Sequence, residues 1–511
     1  MTAVALPAGF RPYAWSPSSA EVAARHGLRP EQILRFDQNT PPVPAVPQVP
    51  LAESFARLQE YPDGTYAELR AAAAAYCAVG PEQVVPGAGA DELILLCARA
   101  FLSAGRAAAV EEPTYALYRV ATELAGAEVQ AEPDGASLIW VCNPNNPTGE
   151  LRSVEAIGEL AGAHPDAAVV VDEAYFEYAG VTAVPLVDEL PNVIVLRTLS
   201  KAFALASLRV GYAVAAPEAA AELERRRPPA SISDPAARIA AAALREPRLD
   251  VEATVAERER VREALLAAGR DCPPGHGNFV FVPDPSLGPT LEAQGLVVRE
   301  TGGGVRITLR RPRENDVLLA ALGAAVPPAP GRDALVVRTS TETGVRVSLD
   351  LDGKGRARVD TGIGLLDHLL TLLAFQARFD LDVHASGDLD VDEHHTTEDV
   401  LAALGDALDG ALGSREGIAR YGDATVPMDE ATGTAAVDLV RRPHAEIALP
   451  DGLLAHALER FAMQARATVH VRATGADAHH VSEAAFKALG RALGAACARS
   501  GDGVASTKGL A

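Results

Sequence analysis

Two pairs of adjacent histidines, His394 with His395 and His479 with His480, stand in the shared pattern Asp-x-His-His-x-x-Glu, which ends on Glu398 and Glu483. On a helix, residues three and four apart share a face, so each glutamate comes round beside its imidazoles as metal ligands must. Adjacent side chains diverge, so each pair offers ligands to two ions. Nitrogen and oxygen donors without thiolate favour manganese, iron or zinc, and six-coordinate manganese fits best when a substrate nitrogen completes the shell. A second chemistry centres on Lys201, in the run TLSKAFALASLRVGY. The chain holds four lysines against 42 arginines, so a retained lysine invites a chemical reason. An amine at the end of a strand can condense with a carbonyl cofactor. Asp172, which ends the run AAVVVD, is an acid on a strand tip that needs a cationic partner such as a protonated pyridine nitrogen.

The elements that must carry these residues follow from hydrophobic periodicity. Short apolar runs at 107–110, 137–142, 167–173 and 192–198 alternate with amphipathic stretches. That pattern predicts a mostly parallel α/β sheet with its functional loops at the carboxyl ends of the strands. From about residue 234 long helices precede the short strands NFVFV, LVVRE and VRITL, which predicts a smaller α+β subdomain. The stretch AAVPPAPG at 324–331 reads as a linker between domains at 1–323 and 332–511. Beyond it, 387–412 and 475–497 both read strand end, Asp-x-His-His-x-x-Glu, then an Ala/Leu-rich helix, so the half-domain is duplicated. Nine of the 12 histidines fall in this last part.

A length of 511 residues implies two or three domains, and 48% hydrophobic with 22% charged residues excludes disorder as the main state. The formal charge of −22, with both parts acidic, argues against a nucleic-acid or anionic-membrane partner. Any phosphate must therefore be gripped by a few local cations. No run approaches the ~20 apolar residues needed to span a bilayer, and the N-terminal segment lacks signal-peptide organisation, so a cytoplasmic protein is expected. Cys77, Cys97, Cys142, Cys272 and Cys497 are odd in number and scattered, which argues against a disulfide framework or a thiolate metal site.

The motifs GAGADE (87–92), PTYALY (113–118), CNPNNPTG (142–149), DEAY (172–175) and SKAFALASLR (200–209) occur in the order seen in fold-type I pyridoxal-phosphate aminotransferases. Residues 10–325 most closely resemble histidinol-phosphate aminotransferase. The resemblance implies that Lys201 binds the cofactor aldehyde, that Asp172 pairs with the pyridine nitrogen, and that Asn146 and Tyr175 bond its phenolic oxygen. Tyr115 would stack on the ring. Ala90, Asp91, Ser200 and Arg209 would cradle the phosphate, joined by Tyr61 reaching across a homodimer. Arg299, Arg306, Tyr13 and Asn39 match substrate contacts, although Thr40 stands where the family usually has Glu, and Ser207 where it has Gly.

Residues 332–511 resemble imidazoleglycerol-phosphate dehydratase through RTSTET, TGIGLLDHLL, DEHHTTED, GIARYG, VPMDE, RRPH, DAHHVSEAAFK and STKG, in order. The resemblance implies two manganese ions held by His368, His394, His395, Glu398, His456, His479, His480 and Glu483. Glutamates beside the metals would move protons, with Glu342 and Asp429 as further acids. Arg420, Arg442, Lys487, Ser506 and Lys508 would grip the substrate phosphate. Leu372 and Gln376 replace the family's Gln and His, and the segment 443–455 is short; both put dehydratase efficiency and the family's large assembly in question. The expected protein is a bifunctional histidine-biosynthesis enzyme. It would dehydrate imidazoleglycerol phosphate and transaminate the product with glutamate, as a homodimer through one part and a larger homo-oligomer through the other. The rival readings are an aromatic or broad-range aminotransferase with a decayed dehydratase, and one whose C-terminal part is a noncatalytic metal-binding assembly module.

Overall fold

The computed structural model describes residues 6–7, 9–42, 52–301, 303–324, 331–501, 503 and 505. Backbone contacts divide the chain into two compact units. Arg35–Arg311 makes up the bulk of the first, while Ser18–Leu34 and Pro312–Val317 group with the second. Most of the expected linker, 325–330, lies outside the described residues.

The first unit is built on a seven-stranded sheet in the order Val84–Gly87, Gly211–Ala215, Val193–Thr198, Ala168–Asp172, Leu138–Cys142, Ala107–Val110, Glu128–Gln130. Its strands pair in parallel except Gly211–Ala215, which runs antiparallel to both neighbours. The apolar runs become central strands because both faces are covered. Val169, Val171, Val193 and Val195 pack into one core, and Val170, Ile194 and Leu196 into another. Asp172 therefore ends one central strand, and Lys201 follows its neighbour Val193–Thr198 by three residues. The smaller sheet of this unit has the order Leu34–Phe36, Leu296–Thr301, Gly304–Thr308, Phe279–Val282, and its antiparallel register sets Arg299 opposite Arg306. Both sheets agree with the α/β and α+β reading.

The second unit contains two four-stranded sheets of identical order. One runs Asp333–Thr339, Gly344–Asp350, Asp380–Ser386, Ala357–Asp360; the other runs Tyr421–Met428, Ala431–Asp438, Thr468–Thr474, His444–Ala448. In each the last strand is parallel to its neighbour and the rest are antiparallel. The helices Gly364–Ala377 and His394–Leu412 belong to the first half, and Gly452–Gln464 and Ala478–Cys497 to the second; all four contribute to one apolar core. The sequence repeat is thus a repeat of fold. The aspartate of each motif stands at the helix start: Asp477 is the N-cap and accepts the His479 N–H at 2.8 Å, and Asp392, one residue before the N-cap Glu393, accepts the His394 N–H at 2.8 Å.

Two glycines set how closely these helices approach. A Cβ on Gly490 would lie 2.6 Å from the Leu373 carbonyl oxygen, and one on Gly405 would lie 2.5 Å from that of Phe461. Both glycines stand seven residues after a motif glutamate, two turns along the same face. Among the described residues no helix is long and apolar enough to cross a membrane.

Candidate active sites

In the first unit a cavity of about 970 Å³ is lined by Tyr13, Tyr115, Asp172, Lys201, Arg209 and Arg306 among others. Desolvation, and after it Arg306, lowers the Lys201 amine to about 8, so a sizeable neutral fraction exists near physiological pH, as a nucleophilic amine requires. Burial raises the Asp172 carboxyl to about 6, while the Tyr118 hydroxyl, donating to Oδ2 at 2.8 Å, opposes the rise. Tyr118 is completely buried and stacks on Trp140 at 5.1 Å. Burial holds its own phenol well above the usual value, so it remains a donor and Asp172 the acceptor. Sequence reasoning missed Tyr118; its signal was the aromatic three residues after Tyr115 in PTYALY, one helical turn on.

Ala90 and Asp91 lie in the first turn of the Gly89–Phe101 helix, where backbone N–H groups have no intrahelical acceptor and can bind an anion. Arg209 donates to Asp91 Oδ2 at 2.9 Å, and Tyr115 donates to Oδ1 at 3.0 Å. Ser200 lines the same cavity. Also in the lining, Arg306 donates to Asn146 Oδ1 at 2.7 Å and to the Asp37 carbonyl at 2.5 Å, while its Nε is buried without a partner. Arg299 donates to Ser16 Oγ at 3.1 Å and to the Ala14 carbonyl at 3.0 Å beside Tyr13. Asn39 is not among the lining residues of this cavity. Buried to 1% exposure, it donates to the Tyr175 hydroxyl at 2.7 Å and accepts from Thr308 at 2.6 Å, so its amide is spent on holding Tyr175. Tyr61 is 90% exposed and away from this cavity's lining. An amine beside a buried acid, an arginine with an unpartnered nitrogen and a helix N-terminus together fit a phosphorylated carbonyl cofactor.

In the second unit the histidines and glutamates gather into two triads, His368 with His479 and Glu483, and His394 with His456 and Glu398. Within each, the ligand atoms lie within 4.8 Å of one another. The triads are reciprocal: the first takes one helix from the first half and the motif helix of the second, and the other triad does the reverse. Glu483 Oε1 lies 2.8 Å from His368 Nε2 and 3.0 Å from His479 Nε2. Glu398 Oε2 lies 3.3 Å from His456 Nε2 and 3.5 Å from His394 Nε2. Two imidazoles and a carboxylate converging twice suit a first-row divalent metal. Which ligands pair was not legible from spacing.

His395 and His480 fall outside both triads. Glu342 and Asp429 each stand 3.7 Å from one of them. Lys487 is committed to Glu483 Oε2 at 2.5 Å and, with His368 after it, holds that carboxyl down at about 2. Arg420 closes a two-pronged pair with Asp438 at 2.7 and 3.0 Å, so its fork is occupied. Arg442 is exposed, and Ser506 and Lys508 lie outside the described residues. The contacts among the described residues therefore do not draw the expected phosphate grip into one cluster. Arg460, which sequence reasoning missed, pairs with Glu398 Oε1 at 2.8 Å.

Comparison with known proteins decides between the possible owners of this geometry. The family Aminotransferase class I and II matches residues 31–322, and Imidazoleglycerol-phosphate dehydratase matches residues 361–493. Histidinol-phosphate aminotransferase of Gloeobacter violaceus is 38% identical over 306 residues, 54% of this chain and 86% of its own length. Imidazoleglycerol-phosphate dehydratase of Roseiflexus sp. is 47% identical over 197 residues, 36% of this chain and 99% of its own length. The chain belongs to both families. It unites an aminotransferase of the pyridoxal-phosphate type with a hydro-lyase, both of histidine biosynthesis. The chain spans about half the length of another relative, the dehydratase of Phytophthora nicotianae, at 42% identity over 238 residues, 43% of this chain and 53% of that protein. Histidinol-phosphate aminotransferase from Sinorhizobium meliloti, solved in complex with pyridoxal-5'-phosphate, shares the fold with a TM-score of 0.54 at 24% identity, over 61% of this chain and 94% of that one.

Proposed function

We propose that one chain dehydrates imidazoleglycerol phosphate to imidazole acetol phosphate and transaminates that product with glutamate to histidinol phosphate. The observation that carries the reading is the pair of reciprocal triads in the second unit, in a chain whose first unit faces Lys201 and Asp172 into one cavity. An aminotransferase with a decayed partner would have no reason to keep both triads.

Bound pyridoxal phosphate supplies the electron sink that lets an amino group move between carbon skeletons. Lys201 holds it and moves the proton at the substrate carbon. Asp172 presents a carboxylate to the pyridine nitrogen, Tyr115 stacks on the ring, and Asn146 and Tyr175 fix its phenolic edge. Ala90, Asp91, Ser200, Arg209 and, from a second subunit, Tyr61 grip the phosphate. Arg299 and Arg306, opposite each other on neighbouring strands, orient the anionic end of glutamate or of the phosphorylated substrate. Asn39 holds the Tyr175 hydroxyl, and Tyr13, in the cavity lining, contacts the substrate.

Two manganese ions supply the positive charge that lets an imidazole ring accept electrons while a hydroxyl leaves. His368, His394, His395, Glu398, His456, His479, His480 and Glu483 hold them. His395 and His480 lie outside both triads of one chain, so they would reach a metal together with ligands of a second copy, which supports a larger homo-oligomer through this unit. Glu342 and Asp429 carry protons, and Arg420, Arg442, Lys487, Ser506 and Lys508 hold the substrate phosphate, Arg420 and Lys487 by exchanging Asp438 and Glu483 for it. The segment 324–331 links the domains 1–323 and 332–511. The test is incubation of the full chain with imidazoleglycerol phosphate, glutamate, pyridoxal phosphate and manganese. Histidinol phosphate is the expected product; accumulation of imidazole acetol phosphate leaves only the dehydratase, and unchanged substrate removes both assignments.

A further inference from the structure

His395 and His480 lie outside both triads, yet each ring is held. His395 Nδ1 stands 3.1 Å from Asp388 Oδ2, and His480 Nδ1 stands 2.9 Å from Glu430 Oε2. A carboxylate only accepts, so Nδ1 is the donor in both rings, and Nε2 is the nitrogen that can offer a lone pair. Metal-bound imidazoles show the same division, with the nitrogen away from the metal donating to a carboxylate. Glu342 and Asp429, each at 3.7 Å, are too distant for a hydrogen bond.

The two halves reach this arrangement with different residues. Asp388 follows the strand Asp380–Ser386, seven residues before His395. In the second half the corresponding loop, 475–477, is shorter, and its one acid, Asp477, is spent on starting the helix. Glu430 arrives instead from the turn between Tyr421–Met428 and Ala431–Asp438, its Oε1 accepting the Asp477 N–H at 2.9 Å. Asp388 makes one side-chain hydrogen bond among the described residues, to His395, while its Oδ1 is buried without a partner. A buried carboxylate oxygen left unpaired costs stability, so the fold is not what Asp388 serves.

We propose that Asp388 and Glu430 are positioning residues that fix His395 and His480 with Nε2 free for a divalent metal. The inference rests on the metal-dependent reading of the second unit. The probe is Mn2+ titrated into the chelator-treated full chain, alongside thermal unfolding of the metal-free protein. Asp388→Ala is expected to weaken Mn2+ binding ~10–100-fold with the metal-free unfolding midpoint unchanged. Asp388→Asn, which keeps a carbonyl acceptor of the same reach, restores most of the affinity. Glu430→Ala and Glu430→Gln repeat the contrast in Mn2+ affinity in the second half, while the midpoint comparison is read on Asp388, since Glu430 also accepts the Asp477 N–H. Wild-type affinity in Asp388→Ala, a parallel fall in the metal-free midpoint, or equal loss in Asn and Ala variants would each overturn the proposal. Failure of the wild-type chain to take up Mn2+ would instead overturn the dehydratase reading beneath it.

Discussion

Gly405→Ala tests whether backbone approach of two helices sets a metal triad. The new Cβ would stand 2.5 Å from the Phe461 carbonyl oxygen and 2.9 Å from the Ala465 amide nitrogen, where ordinary contact begins at 3.4 Å. These two are backbone atoms, and the third obstacle, the Gln464 Cβ at 2.9 Å, is fixed to the backbone, so none has a rotamer to change. The helix Gly452–Gln464 must therefore retreat by about 1 Å, with an overpacking cost of ~1–3 kcal/mol. Alanine in a helix interior returns ~1 kcal/mol of that, so the net loss of stability is small. His456 rides on the displaced helix, and its Nε2 now lies 3.3 Å from Glu398 Oε2. Metal sites tolerate ligand displacements of only about 0.2 Å, so this triad should lose Mn2+ affinity by at least ~10-fold. The triad of His368, His479 and Glu483 depends on Gly490 and should be spared. Calorimetric titration of the chelator-treated chain should then show one tight class of site where the wild type shows two. Gly410→Ala on the same helix is the control, since its Cβ would meet only the Ala334 methyl at 3.3 Å. An unchanged titration for Gly405→Ala, or loss of both classes together, refutes the reasoning.

Tyr118→Phe removes a hydrogen bond to a charged acceptor worth ~1.5–3 kcal/mol, which raises the Asp172 pKa from about 6 by ~1–2 units. The pH below which the metal-free, cofactor-free chain loses affinity for pyridoxal phosphate should climb by the same amount; a stationary limb sinks the assignment. Lys201→Ala should abolish transamination and spare dehydration, because the two chemistries occupy separate units; assays of each half-reaction on the full chain decide it, and joint loss contradicts it. Glu177 is raised by burial from the usual 4.5 to about 7, with one oxygen buried unpaired. A raised acid pKa means the folded state holds its proton longer, so the penalty grows as pH climbs from 4.5 to 7 and is full above that. Glu177→Gln should therefore stabilise the chain by roughly 2–3 kcal/mol at pH 8 and by almost nothing at pH 4; equal effects in urea unfolding at both pH values argue against it.

The sequence by itself determined the strands that carry Asp172 and Lys201, because fully buried parallel strands must be continuous apolar runs, and such runs are local. It also determined the repeat in the second unit, since both halves bury the same helix face and set the same aspartate, Asp392 or Asp477, at the helix start. It did not determine which histidines meet. His368 joins Glu483, and His456 joins Glu398, across a distance in sequence that spacing does not encode, through backbone contacts made possible at Gly490 and Gly405. Nor did it reveal Tyr118 beneath Asp172, or Asn39 turned inward to Tyr175: a hydroxyl or amide reads alike in sequence whether it faces a substrate or a neighbour. Only the tertiary structure decided where Arg420 and Lys487 spend their charge, because an ion pair depends on which carboxylates the fold brings within reach, and here Asp438 and Glu483 are the ones it brings.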